Sequence, residues 1–195
     1  MKKILLICCL IGASYNHLCA QEDLSKLSLS GFKVNLVPSH ESSIKYHDNV
    51  EIKTTVKNGI TEILVIDQRG KVPKSEITIY TDNLSYLDLH NCSLVMESVL
   101  KTDSLKFIAN CSFGTLKINS DYFDINTGGG AQMKVEGKAK SMDCAVGAGS
   151  NLNADKLHVD NARVHAMGHS SLKLNADNLE IEKQENATIK NVNKK

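Results

Sequence analysis

The feature that most constrains this chain is a repeat of about nineteen residues in its carboxy-terminal half. Each unit holds apolar residues separated by one residue, the period-2 pattern of a strand with one buried face. Helical periodicity is almost absent, so the repeat predicts stacked coils built of strands alone. One apolar anchor can be assigned to each unit, at spacings of 17 to 20 residues: Leu89, Ile108, Ile125, Cys144, Val164 and Ile181.

A second apolar position follows five of the anchors at a constant offset of eight residues: Leu116, Met133, Leu152, Leu172 and Ile189. Because this offset is constant while the coil length varies, the turn between the two strands is expected to be fixed. That turn contains Gly128–Gly130 and Gly147–Gly149, which suit backbone with positive φ. The remaining corner carries Asn and Asp at 119–121, 153–155 and 175–177, residues whose side chains bond nearby backbone.

These patterns predict an all-β fold, a single-stranded parallel β-helix (β-solenoid) with coils of about 17–20 residues. A leucine-rich repeat is the alternative, because the segment from Leu84 to Leu94 fits that signature. The fit fails in later coils, where Gly128 and Gly147 stand at positions that need Asn or Cys. The residues expected to be buried in stacked columns are Leu87, Leu89, Ile108, Phe123, Ile125, Cys144, Leu152, Val164, Leu172, Leu174 and Ile181.

Residues 1–20 have the organisation of a secretory signal peptide. Lys2 and Lys3 form a basic start, an apolar run follows from Ile4 to Ala13, and small Ala20 stands at the expected cleavage point. The apolar run is shorter than the roughly 20 residues that a membrane span needs. We therefore expect an exported protein whose mature chain has no transmembrane segment.

The mature chain is expected to be one solenoid domain over residues 21–195, with less regular strands and a cap over 28–83 and regular coils over 84–192. Loss of the signal peptide removes two of the 23 basic residues and none of the 22 acidic ones, so the mature chain is nearly neutral. A neutral chain lacks the basic surface that nucleic acid requires, which excludes that partner. The charged residues 178–195 are expected to cap the last coil and keep the protein monomeric.

Several motifs together resemble a known family over roughly residues 28–192. They are Gly31–Leu36, Glu76–Tyr80, Leu84–Leu87, Gly128–Ala131 and Gly147–Ser150. In this order they resemble the putative auto-transporter adhesin, head GIN domain family of Bacteroidetes. The resemblance implies a right-handed parallel β-helix, a location in the periplasm, the outer membrane or the cell surface, and no catalytic residues. The last coil departs from the family pattern because it contains no glycine.

Three histidines, His158, His165 and His169, are the candidates for a metal site. The four-residue spacing of His165 and His169 would suit zinc on a helix. On a solenoid these two residues flank a turn and need not converge. We therefore predict no metal site and no cofactor.

Recurring carboxylates raise the alternative of a carbohydrate-active enzyme, since some parallel β-helices are polysaccharide lyases or hydrolases. Such enzymes need clustered carboxylates or a Ca²⁺ site beside a basic residue. Asp121, Asp155 and Asp177 would form an acidic row if aligned, with Lys156 and Lys173 as the nearby basic residues. Aspartate is also ordinary at corners. We predict no catalytic residues and a non-enzymatic, adhesin-like binding or structural module whose partner is an envelope protein or a glycan.

The mature chain keeps Cys92, Cys111 and Cys144, and an odd number leaves at least one thiol unpaired in the monomer. Cys92 and Cys111 are expected at the same position in adjacent coils, with Cα atoms ~5 Å apart and thus within disulfide reach. Free thiols are the expected state. The tripeptide around Ser104 resembles the short O-glycosylation signal of Bacteroidetes.

Overall fold

The computed structural model describes residues 15–18, 23–47, 51–66 and 76–193, and all of the regular secondary structure within them is β-strand. The strands belong to one sheet, which winds into a β-solenoid of about six turns, as predicted. The strands are β1 (Tyr15–Leu18), β2 (Lys26–Ser30), β3 (Lys33–Val37), β4 (Ser43–His47), β5 (Glu51–Lys57), β6 (Ile60–Ile66), β7 (Glu76–Tyr80), β8 (Tyr86–His90), β9 (Ser93–Val95), β10 (Leu100–Asn110), β11 (Phe113–Gly128), β12 (Gln132–Val146), β13 (Asn151–Met167), β14 (Ser171–Glu185) and β15 (Thr188–Asn191).

Each coil presents two faces, joined by a tight turn and by a corner. The first face contains β2, β6, β8 and the later parts of β10 to β14. The second face contains β3, β7, β9, β15 and the earlier parts of β11 to β14. The long strands β10 to β14 therefore run across the corner that joins the two faces. Polar side chains lie on both sides of that corner.

Inward side chains of successive coils stack in columns and form a continuous core. On the first face Phe107 lies opposite Leu87 on one side and Ile125 on the other. On the second face Leu152 lies opposite Met133. Each of these side chains is at most 1% exposed. Burial of a side chain of this size contributes about 1.5–3 kcal/mol, so stability accumulates coil by coil.

The predicted anchor Ile108 is wrong by one residue. Ile108 is partly exposed, and fully buried Phe107 takes the place between Leu87 and Ile125. Since side chains alternate between the two sides of a strand, a shift of one residue reverses inside and outside. Lys106 consequently points outward.

The prediction that Ile181 is buried is also wrong, because this side chain is 45% exposed. Ile181 lies opposite Val164 in the preceding coil. The last strand, β15, pairs only with residues 171–174 of β14. Within the described residues no strand covers the far side of Ile181, so the first face ends at β14, whereas the second face continues by one more strand, β15.

The amino-terminal strands join the same columns, but out of sequence order. Strand β2 lies between β6 and β8, and β3 lies between β7 and β9. Leu27 thus stands opposite Leu87 on one side and Thr61 on the other. The first coil in the chain is inserted between the coil that contains β6 and β7 and the coil that contains β8 and β9.

Antiparallel strands cover the amino-terminal end of the solenoid. Strand β4 pairs with β7, and β5 pairs with β6. Strand β1 pairs with the outer side of β4 and lies within the predicted signal peptide. The other residues of that predicted peptide lie outside the described residues.

The tight turn between the faces holds one or two residues in the left-handed region wherever the structure describes it, with φ angles between 48° and 84°. Four turns hold one such residue (Gly31, Asn91, Cys111 and Asn186), and three hold two (Gly129–Gly130, Ala148–Gly149 and Gly168–His169). Backbone bonds continue from coil to coil through these turns, as when the Asn91 amide donates to the Asn110 carbonyl at 3.1 Å. The glycine-rich signature of the turn thus reflects a repeated backbone conformation.

The expectation that Cys92 and Cys111 share one position is wrong. Cys111 is the left-handed residue of its turn and is exposed, whereas Cys92 stands one step later in its own turn and is buried. The residue that matches Cys92 in the next coil is Ser112. Cys92, Cys111 and Cys144 are all free thiols.

Candidate functional site

The outer surface of the second face carries polar side chains in register across four coils; we call it the polar face. One row consists of Phe113, Gln132, Asn151 and Ser171. The neighbouring row consists of Thr115, Lys134, Asn153 and Lys173. The same eight residues line a shallow groove of about 550 Å³. Because adjacent strands lie about 4.8 Å apart, this surface offers hydrogen-bonding groups at a regular interval along the solenoid.

Alternation along the strands explains why these side chains face outward. Met133 in β12, Leu152 in β13 and Leu172 in β14 are buried, and each is flanked by polar residues on the strand. The buried row fixes the backbone, so the outward residues are held on a rigid surface. Phe113 departs from the pattern, since it is 59% exposed at one end of the first row.

The two lysines of the polar face differ in their surroundings. The Lys173 ammonium group donates to the Asp155 carboxylate. Lys134 makes no ion pair within the part of the chain that the structure describes. The face therefore combines amides, one lysine held by a carboxylate, one lysine open to a ligand, and an aromatic ring.

A second groove, of about 520 Å³, follows the corner between the faces; we call it the corner groove. Its two sides carry Lys101, Asn119, Lys138 and His158 on one hand and Asp103, Asp121, Lys140 and Asp160 on the other. Lys140 lies 2.8 Å from Asp121, and this contact raises the pKa of the lysine. One side of the groove thus carries lysines, and the other side is mainly acidic.

The carboxylates proposed for an acidic row do not line up as one. Asp121 lies in the corner groove beside Lys140, and Asp177 lies farther along the same corner. Asp155 instead lies in an irregular stretch of β13, where the pairing with β14 shifts between Ala154 and His158. Its partner is Lys173 on the polar face.

The remaining sequence candidates also have separate surroundings. Lys156 lies 3.4 Å from Glu136. His165 faces Glu182 at 3.4 Å, while His169 lies in a tight turn at a φ of 56°. Ser104 is exposed on β10, where a modifying enzyme could reach it.

The first face carries one further charged patch, near Tyr122. The Tyr122 hydroxyl donates to the Asp143 carboxylate. This hydrogen bond is the largest cause that raises the pKa of Tyr122 to about 12, with smaller contributions from burial and from the charges of Asp143 and Asp124. Arg163 in the neighbouring coil lies 3.1 Å from Glu182. These contacts are ion pairs and hydrogen bonds of an exposed surface.

Sequence reasoning did not find Phe113 or the amide rows of the polar face. The repeat is recognised from the apolar residues that are buried in the core. It therefore does not predict which residues lie at the outward positions. Aligning the chain on the last left-handed residue of each turn would place Phe113 and Gln132 in one column, since they follow Cys111 and Gly130 at the same distance along the chain. Among the described residues there is no helix long and apolar enough to cross a membrane.

A stack of parallel coils with polar outer faces and open, shallow grooves defines the class of β-solenoid proteins. The profile of the family described as "Putative auto-transporter adhesin, head GIN domain" matches residues 25–193, and the chain belongs to that family. No curated protein matches the chain.

Solved structures share this fold at low sequence identity. A putative adhesin from Bacteroides fragilis is 17% identical, with a TM-score of 0.75 over 91% of this chain and 96% of that one. A putative adhesin from Parabacteroides merdae is 16% identical, with a TM-score of 0.65 over 92% and 95%. A protein named as a putative lipid binding protein from Parabacteroides distasonis is 10% identical, with a TM-score of 0.55 over 92% and 94%. These similarities show the fold.

Proposed function

We propose that this chain is an exported, non-catalytic binding module of the bacterial cell envelope that binds an extended glycan through the polar face. The observation that carries the proposal is the register of two polar rows across four coils, with Phe113 exposed at one end. Family membership supports an adhesin-like role. The module acts as a monomer in the periplasm or at the outer membrane or cell surface.

A repeating ligand suits this surface for a geometric reason. Gln132 and Asn151 offer amide donors and acceptors on neighbouring coils, and Lys134 adds a cation beside them. A polymer laid along the solenoid axis would meet such groups at each coil. The ring of Phe113, which is 59% exposed, adds an apolar contact at one end of this surface.

The alternative of a carbohydrate-active enzyme is not favoured by this geometry. A glycosidase places two carboxylates on either side of the scissile bond, about 5–9.5 Å apart. Near the polar face Asp155 is held by Lys173, and Glu136 lies 3.4 Å from Lys156. Both carboxylates are thus engaged by lysines beside the groove.

Glycan-array binding of the mature chain tests the proposal. A residue of similar exposure far from the polar face provides a matched control. Phe113 is 59% exposed on the polar face, and Val56 is 61% exposed on β5 at the far end. We expect Phe113→Ala to weaken glycan binding about tenfold, a loss of about 1.4 kcal/mol. Val56→Ala should bind as the wild type does. Equal binding by all three proteins, or no glycan bound by the wild type, would refute the role of the polar face.

A further inference from the structure

Three side chains capable of binding a metal ion converge where β13 and β14 cross the corner. The Nε2 atom of His158 lies 3.5 Å from Oδ1 of Asp160 and 3.9 Å from Oδ2 of Asp177. One potential ligand atom from each residue lies within 4.8 Å of the other two. Tetrahedral zinc with bonds of about 2.0–2.1 Å holds its ligand atoms about 3.3 Å apart. Small rotations of surface side chains would close the present distances to that value.

The strand register brings these residues together. His158 and Asp160 flank buried Val159 on β13, so both point to the outer side. Val159 stands opposite Ala176, and two residues later Asn161 stands opposite Asn178. Asp177 is therefore the neighbour of Asp160 in the next coil, at the inter-strand spacing of about 4.8 Å.

Hydrogen bonds from the carboxy-terminal segment orient the third carboxylate. Asn193 Nδ2 donates to Oδ1 of Asp177 at 2.6 Å, so Oδ2 is the oxygen that faces His158. Asn191 holds this segment in place, since its side chain bonds the amide and the carbonyl of Ala176 at 3.0 and 2.9 Å. Residues that ligate metals are commonly oriented by such hydrogen bonds to their other polar atom.

Another histidine on the same strand shows how the cluster differs from an ordinary ion pair. His165 and His158 have equally exposed side chains, at 45%. His165 faces the single carboxylate of Glu182, which also lies 3.1 Å from the Arg163 guanidinium. His158 faces two carboxylates. A neutral imidazole with two carboxylates forms a ligand set with a net charge that a divalent cation balances.

We propose that His158, Asp160 and Asp177 bind one divalent transition-metal ion, for which zinc is the best match. An imidazole ligand favours zinc over calcium, and three protein ligands leave a coordination position open to water or to an added ligand. Because His158 and Asp160 also line the corner groove, a ligand lying in that groove could reach the open position. The sequence predicts no metal site, so a measurement of zinc binding distinguishes that prediction from this proposal.

Isothermal titration of the mature chain with zinc chloride tests this site. We expect one zinc ion per chain for the wild type and for His165→Ala. His158→Ala and Asp177→Asn should bind at least tenfold more weakly. Calcium chloride should bind the wild type more weakly than zinc does. Metal-free melting curves of all variants should coincide, which shows that the surface substitutions leave the fold intact.

Three outcomes would overturn the proposal. The first is no zinc binding by the wild type up to about 1 mM, since a site built from three protein ligands should saturate well below that concentration. The second is unchanged affinity in both His158→Ala and Asp177→Asn. The third is an equal loss in His165→Ala, which would indicate non-specific binding to surface histidines. If His158→Ala melts early, His158→Gln provides the same comparison with a side chain of more similar size.

Discussion

Ser112 Oγ accepts a hydrogen bond from the backbone amide of Cys92 at 3.0 Å, in the interior of the tight turn between two coils. The same hydroxyl lies within hydrogen-bond distance of the Leu89 and Asn110 carbonyls, at 3.1 and 2.8 Å. Cys92 is thus enclosed by backbone and by the next coil, and burial is the largest cause that raises the pKa of its thiol. Cys111 lies outside this enclosure and is exposed.

Thiol labelling should therefore distinguish the three cysteines. Only Cys111 should react with a thiol reagent in the native mature protein. Cys92 is buried, and burial raises the pKa of the Cys144 thiol to about 12, so neither supplies reactive thiolate at neutral pH. Denaturation should make both Cys92 and Cys144 accessible to the reagent. Labelling counted by mass spectrometry should give one thiol in the native state and three after unfolding; a native count of zero would point to a disulfide or to a buried Cys111.

Ala148→Gly should stabilise the protein. Ala148 occupies one of the two left-handed positions of its turn, at a φ of 48°, which costs an L residue about 1–2 kcal/mol, whereas glycine has no such strain. After the entropy cost of glycine, we expect a net gain of about 0.5–1 kcal/mol. Ala145→Gly, within strand β12, should instead destabilise the protein. Chemical denaturation of both variants gives the comparison, and a loss of stability in Ala148→Gly would contradict the assigned turn.

Introducing a charge should have a large effect at a buried apolar position and a small effect at an exposed one. Leu152→Asp should prevent folding, since Leu152 is fully buried and an unpaired buried charge costs several kcal/mol. Ile181→Asp should change stability by less than about 1 kcal/mol, because Ile181 is 45% exposed at the open end. Circular dichroism melting curves measure both. Wild-type melting of Leu152→Asp would show that the register is misassigned.

Tyr122 should titrate well above an ordinary tyrosine. Its hydrogen bond to Asp143 favours the protonated phenol and raises the pKa from 10.0 to about 12 in the folded state. A raised pKa of this kind adds stability that is complete below about pH 10 and is lost as the pH rises towards about 12. Tyrosinate absorbance, as the difference between wild type and Tyr122→Phe, reports the transition. Asp143→Asn should move it down towards about pH 10, and a wild-type value already near 10.0 would argue against the hydrogen bond.

The stacked columns could be predicted because burial imposes period 2 on every coil. The same signal could not choose between Phe107 and Ile108, since both are apolar and each can serve as the inward residue of its strand. Nor could it place β2 between β6 and β8, because the periodicity of a coil does not specify its spatial neighbour. Burial at the end of a solenoid depends on the final coil, which is why the prediction for Ile181 is wrong.

The candidate sites were less accessible to sequence reasoning for a related reason. The alternation of His158 and Asp160 is visible in the sequence, but their closeness to Asp177 depends on the shift in pairing between Ala154 and His158. Local shifts in strand pairing of this kind produce no periodic pattern in the sequence. The outward residues of the polar face are free of the burial constraint, and so they do not repeat.

Measuring whether a bound polysaccharide is shortened tests most directly whether the chain binds glycans without cleaving them. A polysaccharide that the array identifies is incubated with the mature chain, and its polymer length and reducing ends are measured beside its binding. We predict saturable binding that Phe113→Ala weakens, with a polymer of unchanged length. Shortened chains with new reducing ends, absent when the protein is omitted, would contradict the proposed non-catalytic role.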